Sequence, residues 1–145
     1  MFKTIVVALD GSEGARRAVQ PAIELARNDD ARIIIAHVEE QVASNIGFEP
    51  VHADEEGVQS DIRRTSEELS GEGIEASVKT ATAPVGGPAH AIYEIAKEEG
   101  ADLIVVGTRG RSSVSGLLLG SVTQRLLHIA DCPVLAVPPA DRGSA

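Results

Sequence analysis

The chain has 145 residues, the length of one domain, and 43% of them are hydrophobic, enough to bury a core without disulfides or metal. Only 2% are aromatic, so the core falls to Val, Ile, Leu and Ala, and stacking on single-stranded nucleic acid lacks its usual side chains. A net charge of −9 argues against a nucleic-acid binder, which needs a basic face, and against docking on an anionic membrane.

Cys132 is the sole cysteine, so no disulfide can form within the chain. No apolar run reaches membrane-spanning length, and Met1-Phe2-Lys3-Thr4 leads into a strand without a signal-peptide pattern. The expectation is one cytoplasmic domain over residues 1–145.

Thr4 to Leu9 (TIVVAL) is β-rich with little alternation, as in a strand buried on both faces. Asp10-Gly11-Ser12 ends it and offers Ser12 as a helix N-cap. Ala15, Val19, Ala22, Ile23 and Ala26 follow at helical spacing, with Pro21 inside the pattern, where a kink is expected. Arg32 to Val38 (RIIIAHV) is the next buried strand, and Glu39 to Ala53 reads as irregular, with Gly47 and Pro50 inside it. Asp54 to Leu69 reads as an exposed amphipathic helix with Val58, Ile62, Thr65 and Leu69 on one face, ended by Gly71 and Gly73.

Ile74 to Thr80 alternates as a strand. Gly86-Gly87-Pro88 opens a helix through Ala91, Ile92, Ile95 and Ala96, stopped at Gly100. Leu103 to Val106 is a strand, Ser121 to Ile129 a helix with Val122, Leu126 and Ile129 inward, and Val134 to Val137 a last short strand. The tail from Ala140 to Ala145 is small and polar and expected to fray. Alternating strands and helices give an α/β domain with a parallel sheet of roughly five strands. Ligands of such sheets sit at the carboxyl ends of the strands, beside a topological switch point. Asp10, Val38 and the loop after Val106 would share that edge.

That loop is the most informative segment. Gly107-Thr108-Arg109-Gly110, nine residues, then Gly120-Ser121-Val122-Thr123 link a strand to a helix. Glycines let backbone pass close to a ligand, and a helix N-terminus offers free amides to an anion. A Lys-dependent phosphate loop is excluded, because no Lys follows Lys97. The turn Gly11-Ser12-Glu13-Gly14 does not match the dinucleotide fingerprint. A phosphoacceptor domain would need further acids and a Lys beside Asp10.

The remaining pattern is Gly-x2-Gly-x9-Gly-Ser. With TIVVALDGSEGARRAV, RIIIAHV, GGPAHAI, ADLIVVGTRGRS, GLLLGSVTQRLL and DCPVLAV in that order, the chain resembles the universal stress protein family, in its ATP-binding branch. The resemblance covers nearly the whole chain. It implies a Rossmann-like, three-layer α/β/α domain with five parallel strands, forming a homodimer. It also implies ATP, accompanied by Mg or Mn, as the ligand. The residues it places around the nucleotide are Ala8, Leu9, Asp10, Val38, Val106, Gly107, Arg109, Gly110, Gly120, Ser121, Val122 and Thr123. Asp10 would lie beside the ribose or adenine, with the backbone of Ala8 and Val38 near the base.

The chemistry of the residues fits most of this set. Gly110 and Gly120 allow amides to approach phosphate, Ser121 and Thr123 offer hydroxyls, and Arg109 supplies positive charge. Ser121 is also placed to cap its helix. The plainer readings are that the glycines only make turns, Asp10 caps the first helix, and Arg109 and Arg111 are solvated. His37 reads as a packed, hydrogen-bonded histidine and Cys132 as an inert apolar residue. Hydrolysis needs a positioned water and charge stabilisation at the leaving oxygen, and no residue pair in the sequence shows both. The leading reading is therefore an ATP-dependent switch. A slow ATPase or adenylyl-transfer enzyme and a nucleotide-free dimer are the alternatives. The apolar strand Val134 to Val137, at a sheet edge, is the expected dimer contact.

Overall fold

The computed structural model describes residues 1–50, 55–84, 87–108 and 120–139, and of residues 49 and 50 the backbone only. The expected helix start at Asp54, Gly86 of the turn before Pro88, Arg109, Gly110, Arg111 and the tail from Ala140 lie outside the described residues.

The chain order is β1 (Thr4–Ala8), α1 (Glu13–Arg16), α2 (Val19–Asp29), β2 (Arg32–Ser44), β3 (Gly47–Pro50), α3 (Glu55–Gly71), β4 (Ala76–Pro84), α4 (Pro88–Glu98), β5 (Leu103–Gly107), α5 (Ser121–Ile129) and β6 (Val134–Val137). The strands form one sheet in the order β4-β2-β1-β5-β6, all parallel, with β3 antiparallel on β2. The sheet thus has six strands; the five expected parallel strands are joined by a hairpin strand.

Apolar side chains alternate between the two faces of the sheet, giving two cores. Ile5, Val7, Ile33, Ile35, Leu103 and Val105 pack against α1, α2 and α3. Val6, Ile34, Ala36, Ile104 and Val106 pack against α4 and α5. Burial on both faces explains why these strands read as continuous apolar runs. The Val58, Ile62, Thr65 and Leu69 stripe of α3 is buried, as its spacing requires.

Three expectations are corrected. Glu39 to Ala53 is not irregular: β2 runs on to Ser44 and folds back as β3, pairing Ala43 with Phe48 and Ser44 with Gly47. Gly47 (φ +128) opens β3, and Pro50 closes it at an edge, where a missing amide is tolerated. The kink expected at Pro21 is instead a break at Arg17–Ala18, which separates α1 from α2. Pro21 then falls in the first turn of α2, where an amide has no partner within the helix. The strand placed at Ile74 to Thr80 starts later and runs to Pro84, carried by continuous pairing with Ile33–Gln41 of β2.

The chain steps from β1 outward to β2 and β4, then crosses back to β5 on the other side of β1. The switch point therefore lies between the carboxyl ends of β1 and β5, the crevice that ligands of open α/β sheets occupy.

Candidate functional site

The register places the predicted residues at one level. Val7 pairs with Val105 and Ala8 with Ala36, so Leu9 stands level with Gly107 and Asp10 with Val38. The Leu9 amide donates to the Ala36 carbonyl at 2.9 Å, and its side chain is buried in the core below α1. Leu9 can therefore offer a ligand only backbone. Ala8 and Val38 are half-buried and pack toward α4 and α5, on the same face as Val106.

Two helices begin at this edge, and they begin differently. After β1, Gly11 takes φ +82, and Asp10 Oδ1 accepts the Ser12 amide at 2.8 Å. Ser12 then caps α1, its Oγ accepting the Ala15 amide at 3.1 Å, and Glu13 puts an acid in the first turn. The expected Ser12 cap is present, and the start of α1 is already supplied with acceptors and negative charge. After β5, α5 starts from Gly120, which occupies the N-cap position with no side-chain cap bond and no acid in the first turn. The expectation that Ser121 caps this helix is corrected: Ser121 is its first helical residue and is exposed. A glycine cap offers no side chain of its own to the first-turn amides of Ser121, Val122 and Thr123, an arrangement that favours an anion.

The ends of the loop between β5 and α5 are tied together. The Gly120 amide donates to the Thr108 carbonyl at 2.6 Å, and the Thr123 hydroxyl donates to the Gly107 carbonyl at 2.7 Å. Thr123 is buried, so its proton holds the stem of the loop rather than pointing outward. Val122 packs beside Val106 and Leu126. Gly107 has a second task that its spacing does not reveal. A Cβ there would lie 2.1 Å from the Gly14 carbonyl oxygen, so only glycine lets β5 seat the start of α1. Arg109 and Gly110 belong to the same loop but lie outside the described residues.

Thr108 went unnoticed in the sequence. It is buried, its carbonyl receives Gly120, and its amide donates to the Val137 carbonyl of β6 at 2.9 Å. The available signal was a polar residue directly after an apolar strand. His37 is buried, with Nε2 2.9 Å from Glu55 Oε1 at the start of α3, which fits the packed-histidine reading. Burial, with the Asp131 and Asp102 carboxylates nearby, pushes the Cys132 thiol up, which disfavours the reactive thiolate. Among the described residues no group of three His, Cys, Asp or Glu side chains could hold a metal ion, and no helix is long and apolar enough to cross a membrane.

A profile of the universal stress protein family matches residues 1–138. A universal stress protein of Thermus aquaticus, encoded in the 3' region of a QAH/OAS sulfhydrylase, is 40% identical over 140 residues, covering 94% of this chain and 99% of its own. The structure of hypothetical protein MJ0577 superposes with a TM-score of 0.78 at 23% identity, covering 96% of this chain and 97% of its own, and supports the fold alone. A universal stress protein solved in complex with cAMP is 30% identical, with a TM-score of 0.66 over 94% of this chain and 96% of its own. The chain belongs to the universal stress protein family.

Proposed function

We propose that the chain binds ATP in the crevice between β1 and β5 and acts as a nucleotide-dependent switch in a homodimer. The observation that carries this reading is the uncapped start of α5 at the switch point, with its loop stapled shut at the stem. The phosphates would lie against the first-turn amides of Ser121 and Val122, near the Ser121 hydroxyl and the Gly107–Gly120 loop, which brings Arg109 and Gly110. Ribose and base would lie toward Ala8, Asp10 and Val38. The cAMP complex of a 30%-identical relative supports an adenine nucleotide as the ligand class. A Mg or Mn ion would enter with the triphosphate, taking most of its ligands from phosphate and water, with Asp10 near.

The switch reading rests on contiguity. Thr108 joins the loop stem at Gly120 to β6 at Val137, so a ligand held at that stem bears directly on that strand. Strand β6 pairs only with β5 among the described residues, and its Leu135 is 38% exposed. Antiparallel pairing of two copies across this edge would close it. Mass spectrometry of small molecules released on denaturing the purified chain tests the ligand: an adenine nucleotide is expected, and a chain that neither releases nor rebinds one contradicts the reading. Light scattering tests the dimer, which a clean monomer at micromolar concentration would remove.

A further inference from the structure

The other edge of the sheet carries a feature that the nucleotide reading does not use. Between β4 and α4 lies an open groove of about 430 Å³. Its floor is Ala81 and Ala83 from β4, and Ala91 and Ile95 from α4; Glu94 and Glu98 stand on its helix side. The groove exists because three of the four floor residues stop at Cβ, leaving strand and helix unfilled between them.

Strand β4 pairs on one side only, with β2, among the described residues. The Ile33 amide donates to the Glu75 carbonyl, so residues 75, 77, 79, 81 and 83 turn their backbone groups toward β2. By alternation, Val78, Thr80 and Thr82 turn theirs outward, along the mouth of the groove. Pro84, next in that series, lacks an amide, and its carbonyl receives Gly87 at 2.9 Å, which closes the available edge there. Lys79 is the one charged side chain of β4, and it is drawn onto Glu99 of the α4 C-terminal cap at 3.2 Å. Lys79 lines the groove, half exposed, and this ion pair offsets the positive charge it would otherwise present to an incoming strand.

We propose that this groove takes an extended segment of a partner protein, added as a further strand on β4. Its backbone would bond to Val78, Thr80 and Thr82, and its small apolar side chains would enter between Ala81, Ala83, Ala91 and Ile95. Its Lys or Arg side chains would reach Glu94 and Glu98. Glu98 is exposed, and the Glu94 side chain is 44% exposed, with His90 Nε2 3.6 Å away. An exposed edge, an apolar slot and an acidic wall on the same face select a segment that carries its small apolar and its basic residues on one face, at every second position. The proposal does not depend on the nucleotide site.

The test uses the full chain and fluorescent eight-residue peptides: Thr at every odd position with Val, Val, Lys and Lys in turn at the even ones (the Val–Lys peptide), the same with Glu for Lys, and the same with Pro in place of the central Thr residues. Anisotropy should show saturable binding of the Val–Lys peptide, with either control weaker by roughly tenfold or more. Ala91→Leu fills the slot on a helix that tolerates Leu, and Glu94→Lys reverses the wall; each should weaken binding roughly tenfold while ATP binding is unchanged. Hydrogen exchange should slow at Val78, Thr80 and Thr82. Absence of Val–Lys binding, binding indifferent to Ala91→Leu, or protection elsewhere would overturn the proposal. So would self-association of the chain abolished by Ala91→Leu, which would assign the groove to a second copy.

Discussion

Helices α1 and α5 start at the same edge of the sheet, one on each face, and only α1 takes a side-chain cap from its N-cap residue. The start of α1 is completed from within the chain: Asp10 receives the Ser12 amide, Ser12 receives the Ala15 amide, and Glu13 adds a negative charge. The start of α5 has a glycine where a capping side chain would stand and no acid in its first turn. In the proposed reading, that difference is what makes the start of α5, and not that of α1, the place for the phosphates. The two glycines at the ends of this loop differ in the same way. Gly107 is required because α1 sits on it, whereas Gly120, at φ −72 and ψ 163, has a conformation open to any residue.

That contrast orders the expected effects of substitution. Gly107→Val is the most damaging, because its side chain meets the Gly14 carbonyl; a loss of about 3 kcal/mol or more is expected in chemical denaturation, with nucleotide binding lost alongside. Gly120→Asp should do the reverse of unfolding. A carboxylate cap fits the backbone there, holds or slightly raises stability, and lowers ATP affinity by about tenfold or more, because it fills the amides and repels the phosphates. Equal ATP affinity in that variant would break the comparison at its centre. Thr123→Val removes the hydroxyl that staples the loop to Gly107 and should cost about 1 kcal/mol in thermal unfolding, with a matching loss of ATP affinity. Ser12→Ala should cost about 0.5–1 kcal/mol of stability and leave ATP affinity within about twofold. A larger loss of binding would mean that α1, not α5, faces the phosphates.

Much of this was legible in the sequence, and the failures have physical causes. Buried parallel strands announce themselves as apolar runs, so β1 and β5 were found almost to the residue; β6 was found from its apolar run between prolines although it is half-exposed at the sheet edge, and Ser12 was found because capping is local chemistry. Placing Asp10, Val38 and Gly107 on one edge followed from strand direction alone. Strand β3 was missed because Gly47 and Pro50 carry loop signatures, and the turn at Asn45-Ile46 lacks an adjacent Asn-Gly pair. The conflict at Pro21 resolved only with the break between α1 and α2, which no residue type signals. Gly107 was picked for a ligand, but its contact with Gly14 is a fact of tertiary packing, invisible until both loops are placed. Thr123 was picked as a hydroxyl donor for phosphate, and its hydroxyl donates to the Gly107 carbonyl, because its position on the first turn of α5 points it at the end of β5.

The most direct test of the open helix start is calorimetric titration of the nucleotide-free chain with ATP, in parallel with the Gly120→Asp variant. The account predicts saturable binding to the unaltered chain and binding weakened by about tenfold or more in a variant that remains folded. No heat of binding in the unaltered chain, or equal affinity in the two, would contradict it.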